Sequence, residues 1–254
     1  MSFQDKLLDS FIAFEQVIDL DNPVHTVRKN ALKRFESDGF PTKKDELWKY
    51  TSLKSIIQKD YSLSVKSNPN VGLKDIEKYS INDIDSYKIV FVDGVFNPFL
   101  SNTTHDGMDI CVLSAALSKT KYKKTITKYF NKIVPDDQSL ASLNTSYTKE
   151  GAYIHIPKSV LPEDPVQILH FSSGKNKPLW LQPRNIIIVE ENARVEIIER
   201  HQSLRSHDGA TNSLTEIYAE KNSFIDYYKI QNDIETSNLI DNTFIDQQRD
   251  SNVR

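Results

Sequence analysis

The sequence predicts an α+β protein: a mainly helical domain over residues 1–150, then the first coils of a right-handed parallel β-helix over residues 151–254. Three observations carry this. Apolar residues recur at helical spacing through the first forty positions. Beyond Thr145 the segments become short, β-branched and aromatic, and polar turns separate them. Within that second half, IIIVEENARVEII (186–198) aligns with EIYAEKNSFIDYY (216–228) at an offset of 30 residues, as stacked solenoid coils do.

The elements follow in order. Phe3, Leu7, Phe11, Phe14 and Ile18 share one helical face, so residues 2–19 read as an amphipathic helix. Asn22 then caps a second helix with Pro23 at its first position. Val24, Val27, Ala31 and Phe35 form its apolar stripe, and Asp38-Gly39 ends it. Asp45–Lys54 reads as another short helix, with Trp48 and Tyr50 on different faces. At least one of these rings is therefore expected to pack inward, with Lys43, Lys44 and Lys49 solvated. Residues 59–86 form a polar connection. Tyr87–Val92 is a strand that Asp93-Gly94 turns. Ile110–Leu113 is another strand, Ser114 caps a helix through Lys119, and Tyr122–Ile133 is helical up to the break at Pro135. Strands then follow at 152–156, 166–171, 186–189, 195–199, 214–219 and 224–230. The 30-residue offset also carries Glu220-Lys221-Asn222 onto Asp250-Ser251-Asn252, so a third copy begins near Ile245. No terminal cap resembling those that close solenoids follows. The expectation is a front portion of a longer β-helix, or an edge that a partner or a second copy covers as a homodimer.

Several function classes are disfavoured. A net charge of −3 provides no global basic field for nucleic acid. One cysteine, Cys111, rules out an internal disulfide and an all-thiolate iron–sulfur site in a single copy. With seven glycines there is no phosphate-cradling glycine loop, so any ATP would be bound by another chain. No apolar run approaches membrane-spanning length, and the acidic, amphipathic N-terminus lacks a cleavable signal pattern. The default address is cytoplasmic.

Four groups of residues are candidates for chemistry. The histidines are His25, His105, His155, His170, His201 and His207, without helical metal-ligand spacing. Histidines on adjacent coils could line up as ligands; surface or rim positions are the reading the sequence favours. Cys111 sits in ICVL and reads as a small core hydrophobe rather than a thiolate. Glu196, Glu199, Glu216 and Asp226 could gather on one solenoid face, as in a carbohydrate-cleaving β-helix, although strand carboxylates usually face outward. The run KYKKTITKYFNK (121–132) could bind nucleic acid, but an amphipathic helix with snorkelling lysines explains it better.

FESDGFPTKKDELWKYTSLK (35–54), FVDGVFNPFLS (91–101), SLNTSYTKEGAYIHIP (142–157) and PVQILHF (165–171) form an ordered series. PRNIIIVEENARVEIIERH (183–201) and TNSLTEIYAEKNSFIDYYKIQND (211–233) complete it. The series resembles the SufB/SufD family of iron–sulfur cluster assembly scaffolds. The WKYT form resembles the SufD branch rather than SufB. The resemblance implies a non-catalytic scaffold associated with iron acquisition, with a SufB-like paralogue and a SufC-like ABC ATPase as partners. An iron–sulfur cluster would be held transiently by the full complex, with no cofactor bound by this chain. Family members continue past the position of Arg254 into the SufC-docking domain and the late Cys/His positions. No catalytic, cofactor or metal residue is therefore transferred to this chain.

Overall fold

The computed structural model describes residues 1–63, 70–81, 84–105, 107–174, 177–234 and 236–254. Parts of the 59–86 connection lie outside them.

Among the described residues, seven α-helices lie within the first 150 positions. Helix α1 (Phe3–Glu15) begins with a capping box: the Ser2 hydroxyl accepts from Asp5 N, and the Asp5 carboxylate accepts from Ser2 N. It ends four residues before the expected boundary. Helix α2 (Val24–Asp38) starts where Asn22 Oδ1 accepts from Val24 N at 3.0 Å, and stops at Gly39 with φ 68°. The helix expected over 45–54 is not formed. A 3₁₀ turn (Glu46–Trp48) and the short α3 (Lys54–Ile57) take its place. Asp45 accepts from the backbone N–H and hydroxyl of Thr42, which closes a local turn instead of a helical one. Trp48 packs into the N-terminal aromatic cluster while Tyr50 is exposed, so the two rings part as expected. Helix α4 (Leu73–Ile76) is followed by α5 (Leu113–Ser118), α6 (Thr120–Tyr129) and α7 (Ser139–Ser146). Nothing in the sequence pattern announced α7. It is buried from Leu140 to Ser146, so it has no amphipathic period to read.

The strands are β1 (Tyr87–Val92), β2 (Val95–Phe96), β3 (Asp109–Val112), β4 (Ala152–Ile156), β5 (Val166–Ser172), β6 (Trp180–Leu181), β7 (Arg184–Val189), β8 (Arg194–Ser203), β9 (Ala210–Ala219), β10 (Phe224–Asn232), β11 (Asn238–Gln247) and β12 (Asn252–Val253). From β4 onward they alternate between two sheets, except that β6 and β7 share one. One runs β12-β10-β8-β5-β1-β2, the other β11-β9-β7-β4-β3, with β6 beside β9. The coil-to-coil pairings are parallel, which is the β-solenoid expected. At the N-terminal end, the antiparallel strands β2 and β3 occupy the sheet edges. Strands from the first 150 residues thus extend both sheets.

Arg184 pairs with Leu214 and Arg194 with Phe224, each 30 positions on, as the repeat predicts. The third copy is displaced: Phe224 pairs with Asn252, 28 positions on. Asn222 therefore stacks on Asp250, not Asn252. Sixteen positions separate the starts of β8 and β9 (Arg194, Ala210), but only fourteen those of β10 and β11 (Phe224, Asn238). That shorter corner removes the two residues.

Strand alternation divides the side chains between two cores. Ile154, Ile156, Ile168, Ile187, Val189, Val195, Ile197, Ile217 and Ile225 fill the interior between the sheets. Tyr153, Ile186, Ile188 and Tyr218 point the other way, against Leu113, Tyr122, Ile126, Tyr129 and Phe130 of the helical layer. Arg184 and Glu216 are both fully buried in this second interface. The Arg184 guanidinium contacts Glu216 Oε1 at 2.6 Å, donates to Thr145 Oγ1 at 2.8 Å and to Asn131 Oδ1 at 3.0 Å, and lies over the Phe130 ring. Asn144 on α7 donates to the backbone carbonyls of Pro183 and Asn212. The motif SLNTSYTKEGAYIHIP is thus the joint between α7 and the solenoid.

Two substitutions test this packing. Gly151 has φ 143°, and a Cβ there would meet the Arg184 carbonyl oxygen at 1.9 Å. Gly151→Ala should cost more than about 2 kcal/mol in chemical denaturation, from strain plus displaced backbone. Arg184→Met strands the Glu216 carboxylate and should cost about 3–5 kcal/mol. Adding Glu216→Leu to it should recover part of that loss, because the unpaired charge is then gone.

Candidate metal centre inside the solenoid

The parity that places Ile154 and Ile197 inside also directs polar residues inward. Val195, Ile197, Glu199, His201 and Ser203 alternate along β8, and all are buried. On β5, Ile168 pairs with Glu199 and His170 with His201. On β10, Lys229 pairs with Glu199. The apolar interior therefore gives way to a charged chamber at one end of each strand.

There the rings stack in register. Phe91, His170 and His201 occupy paired positions on β1, β5 and β8. The Phe91 and His170 rings lie 5.0 Å apart at 16°, and His170 and His201 lie 4.7 Å apart at 13°. The second spacing is about one strand separation. His201 Nε2 donates to Glu199 Oε1 at 2.8 Å. Glu199 Oε2 accepts from Tyr227 Oη and from Thr215 Oγ1, and Lys229 Nζ stands 3.6 Å away. Lys229 is itself neutralised by Asp241 at 2.7 Å. His170 is 8% exposed, and its Nε2 has no hydrogen-bond partner. One ligand atom from each of His170, Glu199 and His201 lies within 4.8 Å of the others.

These surroundings set the charge states. Burial, reinforced by His201, pushes His170 down to about 3, so its imidazole is neutral near pH 7 with a lone pair to offer. Burial alone would raise Glu199. The hydrogen bond from His201 and the charge of Lys229 outweigh it and hold the carboxyl far below the carboxylate range. The chamber thus holds the Glu199 carboxylate, a neutral imidazole with an unused nitrogen and a second imidazole beside them. That donor set is suited to a first-row divalent ion.

The rim assignment is therefore overturned for His170 and His201, which are interior and in register. Nothing in a single strand says so; the signal lay in aligning PVQILHF with ARVEIIERH across coils. His155 is on the outer face, with Nε2 3.0 Å from Glu190 and Nδ1 3.6 Å from Asp109. His25 pairs with Glu15, His105 packs edge-on against Tyr87, and His207 contacts Ser203.

The four carboxylates do not share a face. Glu196 is exposed, Asp226 pairs with Arg194 and Arg254 on the outer side, Glu216 is locked to Arg184, and Glu199 alone points inside. Glu196 and Glu199 are three apart, and an odd offset puts them on opposite faces of one strand. The usual outward placement fails for Glu199 for the same reason. Cys111 is half-buried and burial pushes its thiol up to about 11, so it packs as a hydrophobe. Helix α6 buries Tyr122, Ile126 and Tyr129, as the amphipathic reading requires. Its Lys121 and Lys128 meet Asp109 and Glu220.

Comparison with known proteins places this architecture. Residues 1–168 match the family described as SufBD protein N-terminal region, and residues 170–254 match the SUF system FeS cluster assembly, SufBD core domain. The chain belongs to the SufB/SufD family of iron–sulfur cluster assembly proteins. It is 25% identical over 235 residues to the iron-sulfur cluster assembly SufBD family protein slr0076 of Synechocystis, covering 89% of this chain and 51% of that protein. It is 25% identical over 124 residues to SufD of Bacillus subtilis, covering 48% of this chain and 27% of that protein. With SufB of the same organism it is 30% identical over 101 residues, covering 39% of this chain and 21% of that protein. The chain spans about half the length of the first of these relatives, and less of the others. Among the described residues, no helix is long and apolar enough to cross a membrane.

The charge states predict an acid-sensitive chamber. A folded value near 3 against an ordinary 6.5 means that stability from neutral His170 is present above about pH 6.5 and is lost as pH falls toward 3. Glu199 adds a loss in the same direction below its ordinary value of 4.5. The melting temperature should fall between about pH 6.5 and pH 4.5, and His170→Phe should flatten that part of the profile while keeping the ring stack. Equal slopes in the two proteins would show that His170 is not buried as a neutral ring.

Proposed function

We propose that this chain is the N-terminal part of a SufD-like scaffold that pairs with a SufB-like paralogue, while a SufC-like ATPase supplies the hydrolysis. The observation that carries the reading is the continuous match of both family segments, in order, to a helical layer fused to a parallel solenoid. The preference for the SufD branch rests on the WKYT segment at 48–51. A scaffold rather than a catalyst agrees with what its residues do. Glu216, the best-buried outer carboxylate, is bound by Arg184, and the sequence has no glycine-rich phosphate loop. ATP and a nascent iron–sulfur cluster would then be handled at the level of the complex, in the cytoplasm.

The test uses the protein that carries this chain, co-expressed with the SufB-type and SufC-type proteins of its own genome. A stable complex of all three by size-exclusion chromatography is the expected result, along with failure to mature iron–sulfur enzymes when the gene is deleted. Migration alone, with iron–sulfur enzymes fully active in the deletion strain, would overturn the proposal.

A further inference from the structure

We propose that His170, Glu199 and His201 form a binding site for one first-row divalent metal ion inside the β-solenoid, ligated by two imidazole nitrogens and Glu199 Oε1. The inference stands on the geometry of the chamber and not on the scaffold reading, so either can fail without the other.

Four observations support it independently. First, the donors come from two adjacent coils and are held in register by backbone pairing, His170 against His201. They are not flexible surface groups. Second, His170 Nε2 is buried and unpartnered. Leaving a buried polar atom unpaired costs about 1–3 kcal/mol, and a bound ion would remove that cost. Third, Glu199 is already oriented as a ligand. Tyr227 and Thr215 take its Oε2, leaving Oε1 toward the histidines. Such outer hydrogen bonds orient ligands in known metal sites. Fourth, both histidines line a small cavity of about 10 Å³, with Gly94, Thr211, Gln202 and Asp233 around it. That is about the space of one water, the usual fourth ligand of an open three-residue site.

Lys229 is shared between Asp241 at 2.7 Å and Glu199 Oε2 at 3.6 Å, and Glu199 Oε1 faces the histidines. Two imidazoles and one carboxylate select borderline ions such as zinc, cobalt or ferrous iron over calcium or magnesium, which need more oxygens. Tetrahedral ligation with bonds of about 2 Å would bring the ligand atoms to about 3.3 Å from one another. In the structure the ligand atoms lie within 4.8 Å of one another. His201 Nε2 now carries the hydrogen it gives to Glu199. Ligation through that nitrogen requires the other tautomer, with the imidazole hydrogen on Nδ1.

The experiment titrates the purified protein with Zn²⁺ and Co²⁺ against a chelator of known affinity, alongside His170→Phe. That variant keeps a ring between Phe91 and His201 but has no ring nitrogen. Circular dichroism checks that it folds. Outer hydrogen-bond partners typically contribute about 10–100-fold to metal affinity, so loss of a direct ligand should weaken the tightest site by more than about 100-fold. X-ray absorption of the Co²⁺-loaded wild-type protein gives a second readout that needs no variant. Two imidazoles and light-atom ligands are expected. Equal affinity in wild type and His170→Phe would overturn the proposal. So would a sulfur-containing first shell, or the absence of any saturable site in the wild type.

Discussion

The left-handed turn that stacks from coil to coil is the constraint on which the rest of this structure depends. Ser159, Asn192, Asn222 and Asp250 all have φ between 55° and 61°. Each of the first three donates its N–H to the coil below, to Glu191, Lys221 and Arg249 in turn. Asn222 Nδ2 also reaches Asn192 Oδ1 at 3.2 Å. Short polar side chains tolerate this conformation far better than branched ones. Because the turn recurs, each strand enters its sheet at the same phase, and inside stays inside along the whole stack.

Constant phase has two consequences. One is that strands β4, β7 and β9 are buried on both faces, the inner against the partner sheet and the outer against α2, α5, α6 and α7. In the outer interface Arg184 is paired with Glu216, and Asn144 with two strand carbonyls. Tyr218 adds a hydroxyl hydrogen bond to Glu216 at 2.8 Å. The other consequence is that a histidine placed inward on one coil meets whatever the next coil places there. His170 meets His201 in this way, and Glu199 enters the same chamber from two positions along β8.

Much of this was legible in the chain. The bounds of β1 and β4, the Asp93-Gly94 turn, the cap at Asn22 and the 30-residue phase between the middle coils follow from local chemistry that the tertiary structure leaves in place. The motif at 35–54 identified the family while serving as packing, with Trp48 inside and Tyr50 outside. Helix α7 and β11 escaped notice for opposite reasons. The helix is buried all round and lacks a stripe, while NLIDNTFIDQ is largely polar and half-exposed.

The sequence by itself determined the class of the fold, because helical and strand periods are local properties that each segment carries alone. It also determined the family, because an ordered series of segments survives without coordinates. Only the tertiary structure decided which residues share a site. A corner shortened by two residues moved Asp250, not Asn252, onto Asn222. An odd spacing separated Glu196 from Glu199. Register across 31 positions, from His170 to His201, made a buried pair of two histidines that look like rim residues when each strand is read alone. Proximity between coils depends on the length of every corner between them, and that is a sum no single segment contains.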